Sequence, residues 1–393
     1  MTSEAEALAA VLAKVSPLPG RKLPLLDSLG RFAGCDLLAT RALPPFDNSD
    51  MDGYAVQAAS GAKEARLRVI GEQPAGADRG LTTGAGEAIR IFTGAPLPAG
   101  TDAIVMQEDV RREGDWITVE CGVEPGEFIR HRGADLAEGQ KILARGEPVG
   151  AQTMALLAAQ GMAEIEVGGA PRAAIISTGD ELVPVGSTPR PGQLFESNAL
   201  MLRALALGAG AEVPLVEHCP DNLARMTELF RRGIENDALI VSGGVSVGDH
   251  DLVKPALRAV GAEIDLWRVS IKPGKPFLFG RAGRCALFGL PGNPVSAFVT
   301  FLKFVRPALR KMSGAGEENI GLRRIPARLA AEVANDGERP HYLRGRLQGG
   351  VFTVSGLQES HALFGLSRAN ALLRVASGEK FAAGAIVEVE SWD

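Results

Sequence analysis

Three loops in the middle of the chain carry residue types that hold a phosphate. The longest is Ser242-Gly243-Gly244-Val245-Ser246-Val247-Gly248-Asp249. Adjacent glycines let a backbone turn its N–H groups toward one point and form an anion nest. Ser242 and Ser246 add hydroxyl donors, and Asp249 and Asp251 put carboxylates beside the nest. A second loop, Ser177-Thr178-Gly179-Asp180-Glu181, offers hydroxyls, a turn and adjacent carboxylates after an apolar run. The third, Gly289-Leu290-Pro291-Gly292-Asn293-Pro294, ends in a proline suited to the first position of a helix, whose free amides can face an anion. Between the glycine loop and the third loop, Lys272-Pro273-Gly274-Lys275-Pro276 sets two ammonium groups on a stiff turn. Cradle, lysines and carboxylates together suggest a phosphorylated ligand bridged by Mg²⁺, which favours one or two carboxylates plus phosphate oxygens. Taken singly, each loop is equally compatible with a tight turn or a helix cap. None has the G-x-x-x-x-G-K-[ST] pattern of a P-loop NTPase.

The first half has candidates of its own. Pro44-Pro45-Phe46-Asp47-Asn48-Ser49-Asp50-Met51-Asp52-Gly53-Tyr54-Ala55 packs three aspartates into a short stretch. Arg130-His131-Arg132-Gly133-Ala134-Asp135 gathers cations beside a carboxylate, a pattern that suits an oxyanion. Thr93-Gly94-Ala95-Pro96 is a third polar turn. Solvated surface turns are the competing reading for all three. His131 and His250 fall in candidate loops, whereas His218, His341 and His361 read as packing or surface residues. Cys35, Cys121, Cys219 and Cys285 are scattered without metal-ligand spacing, as in a reduced cytosolic chain.

The elements that must position these loops are legible in the spacing. A short helix over 4–15, capped by Ser3, precedes a stretch from 41 to 135 broken by prolines and glycines. Short strands at 67–70, 88–92, 103–106 and 116–120 make that stretch a β domain. Helical texture returns at 152–160, so the β domain reads as an insertion. After residue 168, strands at 173–177, 213–217, 238–241, 264–269 and 286–290 alternate with helices at 198–207, 223–234, 252–260 and 294–312. Ser197 and Asp221 are the candidate caps of two of those helices. Such alternation implies a mainly parallel sheet covered on both faces, with ligands beyond the carboxyl ends of its strands. The remainder, from about 324, is strand-rich. The resulting division is 1–40 with 137–168, 41–136, 169–315 and 320–393. The chain has 393 residues and a formal net charge of −5, against a nucleic-acid platform. The N-terminus lacks a basic signal region and no apolar run is long enough for a membrane span, so a cytoplasmic location is expected.

These motifs, in this order, resemble the molybdopterin molybdenumtransferase family and the C-terminal domain of gephyrin. The match runs through Pro44–Ser49 and Met51–Val56, Thr93–Pro96, Arg132-Gly133 with Asp135, Ser177–Leu182, the glycine loop, Ile271–Phe277 and Gly289–Ser296. A weaker match covers Tyr342–Gly345 and Ser360-His361. The resemblance implies a multidomain α/β plus β fold: a three-layer α/β/α molybdopterin-binding domain, an inserted β domain, an elongated helical segment and a C-terminal β-barrel. It implies a homodimer that inserts molybdate into adenylylated molybdopterin with release of AMP and a requirement for Mg²⁺. Asp52, Thr93, Arg130 and Asp135 would serve molybdate. Glu181, Asp221, Asp251, Lys272 and Lys275 would serve the pterin nucleotide, with Glu181, Asp221 and Asp251 as metal ligands. Substrate contacts would come from Ser177, Thr178, Gly179, Asp180, Ser242, Gly243, Gly244, Ser246, Gly248, Pro291, Gly292, Asn293, Arg344 and Ser367. Transient contact with a molybdopterin adenylyltransferase is also implied. His131 and Ala134 stand where the family often has arginine and glutamate. A molybdopterin adenylyltransferase or a gephyrin-like scaffold are the alternative functions. The surplus length around the α/β part argues against the first, and the lack of a gephyrin-like N-terminal half against the second.

Overall fold

A computed structural model describes residues 1–245 and 252–392, apart from the side chain of Trp267. Ser246, Gly248, Asp249, His250 and Asp251 therefore lie outside the described residues. The chain divides into two compact units. One comprises Met1–Cys35, Ala144–Met154 and Met162–Asp393; the other comprises Asp36–Leu143 and Ala155–Gly161.

Helix α1 spans Glu4–Ala13 and starts as expected from Ser3. The Ser3 hydroxyl accepts from the Glu6 amide at 3.3 Å, and the Glu6 carboxylate accepts from the Ser3 amide at 2.9 Å. This reciprocal capping satisfies two otherwise orphan donors.

The second unit is built on a six-stranded sheet. Its strands are β1 (Gly53–Val56), β2 (Arg66–Gln73), β3 (Glu87–Ile91), β4 (Ala103–Met106), β5 (Val110–Glu113) and β6 (Trp116–Val119), in the order β4-β1-β3-β2-β6-β5. β1 lies inside the aspartate motif, so the turn after Asp52 leads straight into a central strand. Gly53 is obligatory there: a Cβ would sit 2.1 Å from the Val105 carbonyl oxygen.

Helix α2 forms at Ala151–Ala159. Beyond it stands a second six-stranded sheet. Its strands are β7 (Arg172–Thr178), β8 (Glu212–Cys219), β9 (Ala238–Ser242), β10 (Glu263–Trp267), β11 (Leu278–Ala282) and β12 (Cys285–Leu290), in the order β8-β7-β9-β12-β11-β10. β8, β7, β9 and β12 are mutually parallel. β11 pairs antiparallel to both of its neighbours and was not read from the sequence. The Gly283-Arg284 turn, with Gly283 at φ 58°, folds β11 directly back onto β12.

Strand alternation makes the layers. Ala173 and Ile175 of β7 and Ala238 and Ile240 of β9 pack in one core with α1, α3 (Asn198–Gly208), α6 (Pro294–Thr300) and α7 (Arg306–Met312). Ala174, Ile176, Leu239 and Val241 face the opposite core with α4 (Leu223–Gly233) and α5 (Val253–Ala259). The helix expected over 294–312 is continuous, but Phe301–Val305 between α6 and α7 is π-helical. Pro307 lacks an amide hydrogen and crowds the preceding turn, and a widened turn accommodates it. Ser197 stands at the N-cap position of α3 as expected, but the cap of α4 is displaced by one residue. The Ser197 side chain makes no cap, and Glu196 accepts from the Ala199 amide at 2.7 Å instead. Asn222, not Asp221, caps α4 through the Arg225 amide at 2.9 Å.

The C-terminal part is a closed five-stranded barrel. β13 (Arg323–Leu329), β14 (His341–Gln348), β15 (Val351–Val354), β16 (Ala371–Val375) and β17 (Ile386–Ser391) are ordered β13-β15-β14-β16-β17, and β17 closes on β13. A short helix α8 (Leu363–Ser367) precedes β16. Among the described residues, no helix is long and apolar enough to cross a membrane.

A buried ion cluster joins α1, the π segment and β17. Lys303 Nζ lies 3.1 Å from Glu4 and 2.7 Å from Glu390, and 4.9 Å above the Tyr342 ring. Burial opposes the Glu4 charge, but Lys303, the Tyr342 hydroxyl and Arg374 together outweigh it and hold the carboxyl below its ordinary 4.5. Lys303→Met takes the ammonium from the part-buried Glu390 and leaves Glu4 with Arg374 at 3.3 Å, and should cost about 3 kcal/mol in denaturant unfolding. A depressed carboxylate stabilises above its unfolded pKa and loses that contribution as pH falls through the folded one. Glu4→Gln should therefore flatten the acid limb of the stability–pH curve.

Candidate active site

The carboxyl ends of β7, β9 and β12 open on one cleft of about 730 Å³. All three sequence loops reach it. Thr178, Gly179 and Glu181 line it from the first, Ser242, Gly243, Gly244 and Val245 from the second, and Pro291, Gly292, Asn293 and Pro294 from the third. Asp221, at the end of β8, lines it as well. Adjacent parallel strands bring together segments more than a hundred residues apart.

The glycines are required by close packing. Gly243 and Gly244 have φ values of 97° and 63°, and a Cβ on Gly243 would lie 2.7 Å from the Thr178 carbonyl oxygen. A Cβ on Gly244 would meet Val253 at 2.6 Å. The expectation that every donor here faces a ligand does not hold. The Gly243 amide donates to the Leu290 carbonyl at 3.0 Å, so it serves the sheet edge. Ser242 is buried, and its hydroxyl accepts from Asn198 Nδ2 at 2.9 Å. Ser177 is buried too, with its hydroxyl 3.4 Å from His218 Nδ1.

Asn198, which the sequence reading passed over, ties the loops together. Its Nδ2 also donates to the Gly292 carbonyl at 2.7 Å. One amide thus joins the start of α3, the end of β9 and the turn after β12. At sequence level, the only signal was a polar residue at a helix start. Leu194 and Phe195, both exposed, form an apolar rim on the same cleft.

Carboxylates gather at the end of β7 and beyond β8. Asp180 accepts from the Asp221 amide at 2.9 Å. Burial, then the charges of Asp180 and Glu181, pushes the Asp221 carboxyl above its ordinary 3.8. Among the described residues, no group of three or more His, Cys, Asp or Glu is arranged to hold a metal. A closed protein cage is absent from them, but an open site of one or two carboxylates fits the donor set and the crowded charge. Cysteine chemistry does not compete: burial pushes the Cys219 thiol up to about 11 and that of Cys285 to about 12.

The barrel side contributes more than expected. His361 and Leu363 line the cleft, which corrects the packing-or-surface reading of His361. Their loop is anchored by Ser360, whose carbonyl accepts from the Val295 amide at 3.1 Å and whose hydroxyl accepts from Asn293 at 2.9 Å. Arg344 is fully buried and does not line the cleft. Its Nη2 donates to the Leu357 and Glu359 carbonyls at 2.5 and 3.3 Å, while Nε and Nη1 are buried with no partner among the described residues. Nearby cations show in His341: burial, then Lys272, Arg344 and Arg339, lowers it to about 4. Lys272 and Lys275 are exposed, and their turn reaches the cleft through Pro276. Ser367 donates to the Phe364 carbonyl of its own turn at 2.8 Å.

The β unit holds a separate polar cluster. Asp52 accepts from both the amide and the hydroxyl of Thr93 at 2.8 Å, the amide foremost in holding its carboxyl below the ordinary value. Arg130 donates to Asp50 at 2.7 Å. Asp47 accepts from the Arg132 amide at 2.7 Å and lies 3.4 Å from His131. Arg132 in turn reaches Glu138 at 3.4 Å. The cations expected to be open to an oxyanion are thus already paired. The Asp135 amide donates to the Leu43 carbonyl, and its side chain is exposed.

Comparison with known proteins agrees with this architecture. Residues 2–161 match the MoeA N-terminal region (domain I and II), 174–311 a probable molybdopterin binding domain, and 326–392 the MoeA C-terminal region (domain IV). The molybdopterin molybdenumtransferase of Nostoc sp. is 37% identical over 90% of this chain and 84% of its own. Molybdopterin molybdenumtransferase 2 of Mycobacterium tuberculosis is 37% identical over 94% of each. The crystal structure of the molybdopterin biosynthesis MoeA protein from Pyrococcus horikoshii OT3 superposes with a TM-score of 0.87 at 30% identity, covering all of both chains. The chain belongs to the molybdopterin molybdenumtransferase (MoeA) family.

Asn198→Ala removes both ties, so the buried Ser242 hydroxyl and the Gly292 carbonyl both lose this donor. Thermal or denaturant unfolding should show a loss of about 1–3 kcal/mol. Nucleotide binding measured by calorimetry should weaken together with stability, whereas Asn198→Asp, which cannot donate, should rescue neither.

Proposed function

We propose that this chain is a molybdopterin molybdenumtransferase that takes adenylylated molybdopterin and molybdate and gives molybdenum cofactor and AMP. The observation that carries this reading is the convergence of the Thr178–Glu181, Ser242–Val245 and Pro291–Pro294 loops on one cleft. Those three loops lie within the segment matching a probable molybdopterin binding domain. The cleft's size falls in the range that encloses a small ligand.

In this reading the Leu194 and Phe195 rim packs on a heterocycle of the bound nucleotide. Thr178, Gly179, Asp180, Gly244 and Asn293 orient its polar edges, with Ser177, Ser242, Gly243, Pro291 and Gly292 holding the walls. Lys272, Lys275 and Arg344 attract the anionic groups. Arg344 is fully buried, so it adds positive potential rather than a direct contact, and the lowered His341 stays neutral beside it. Glu181 and Asp221 would hold Mg²⁺, with Asp251 from the glycine loop. Bound there, the ion would neutralise phosphate charge and assist departure of AMP. Asp52, Thr93, Arg130 and Asp135 serve molybdate, Asp52 holding Thr93 in place. On the family resemblance, the active form is a homodimer in which the Asp52 side of one copy serves the cleft of the other. A cytoplasmic location and transient contact with a molybdopterin adenylyltransferase belong to the same proposal.

The test is AMP release from adenylylated molybdopterin with molybdate and Mg²⁺ present. Asp52→Ala and Asp251→Ala should each lower turnover by roughly a hundredfold or more, the scale of losing a positioned group. Undiminished turnover in both variants would overturn the assignment. Formation of adenylylated pterin from ATP and molybdopterin would favour the adenylyltransferase reading instead.

A further inference from the structure

The outer wall of the barrel carries a second hollow, of about 530 Å³, that the function above does not use. It is lined by Arg346, Gln348, Val351, Thr353, Ser355 and Arg368. Antiparallel register sets Arg346 of β14 opposite Thr353 of β15, and Gln348 opposite Val351. Alternation turns Leu347 and Phe352 into the barrel core and these four residues outward. Arg368 comes from the turn after α8. Asn370 pins that turn to β14: its Oδ1 accepts from the Leu347 amide at 2.7 Å and its Nδ2 donates to the Leu347 carbonyl at 3.1 Å. The Arg368 guanidinium also lies over the Phe364 ring, 5.5 Å from its centroid.

Two guanidinium groups are thereby held at one hollow whose lining contains no acidic residue. Neither makes a hydrogen bond or ion pair among the described residues, and the side chains of Gln348, Thr353 and Ser355 make no hydrogen bond among them either. Like charges confined together repel, and an anion between them reverses the sign of that term. The planar guanidinium fork matches the oxygens of a tetrahedral anion, and the neighbouring hydroxyls and amide complete its coordination.

We propose that this hollow binds a tetrahedral oxyanion, either free or as the phosphate monoester of a small molecule, at a site separate from the active-site cleft. The test uses the full chain in a Lys272→Gln/Lys275→Gln background, which weakens anion capture at the cleft. Inorganic phosphate and AMP are titrated by calorimetry at constant ionic strength. Phosphate is expected to bind, Arg346→Gln or Arg368→Gln to weaken it about tenfold each, and the double variant to abolish it. Unfolding temperatures should stay unchanged, since both side chains are exposed. Binding of phosphate alone identifies a free anion as the ligand, and tighter binding of AMP identifies the ester. No binding in the Lys272→Gln/Lys275→Gln protein, or equal affinity with and without the two arginines, overturns the proposal.

Discussion

Everything at the cleft hangs on one buried amide. Asn198 sits at the first turn of α3, and its Nδ2 holds both the Ser242 hydroxyl and the Gly292 carbonyl. That arrangement is possible because Glu196 takes over the capping of α3. The glycine loop then packs against Thr178 at a distance that no side chain tolerates. The walls of the cleft are consequently set by backbone and buried polar groups. The exposed residues on its rim are free to differ without moving them.

Electrostatics divides the candidate residues into two kinds. In the β unit, Arg130 and Arg132 face Asp50 and Glu138, so their charge is largely neutralised before any ligand arrives. At the foot of the barrel, Arg344 keeps two donors with no partner among the described residues, in a place that Lys272 and Arg339 make positive. An acidic chain can attract an anion only where such local imbalance persists. At the ends of β7 and β8, Asp180, Glu181 and Asp221 create the opposite imbalance.

Much of the fold was legible because it is written in local pattern. The capping box at Ser3, the strand at Ala103–Met106 and the strand–helix alternation depend on neighbours in sequence. β11 was missed because Leu278–Ala282 continues from a proline-rich turn and has no helix before it. The three cleft loops were legible from their glycines and their places after apolar strands. What spacing did not reveal were the long-range pairs. Asn198 with Ser242, Asn293 with Ser360 and Arg130 with Asp50 each join residues 44 to 80 positions apart. Such pairings also decide which donors remain open, so Ser242, Gly243 and the Arg130–Arg132 cations looked more available than they are.

The Lys303 cluster has a topological consequence. Glu4 and Glu390 meet on a single ammonium, so the opening helix and the closing strand are spatial neighbours. A short linker could join them, and new ends could then be opened at an exposed turn such as Gly349-Gly350, between two strands that already pair. A chain so permuted would keep every contact at the cleft while opening at the turn between β14 and β15.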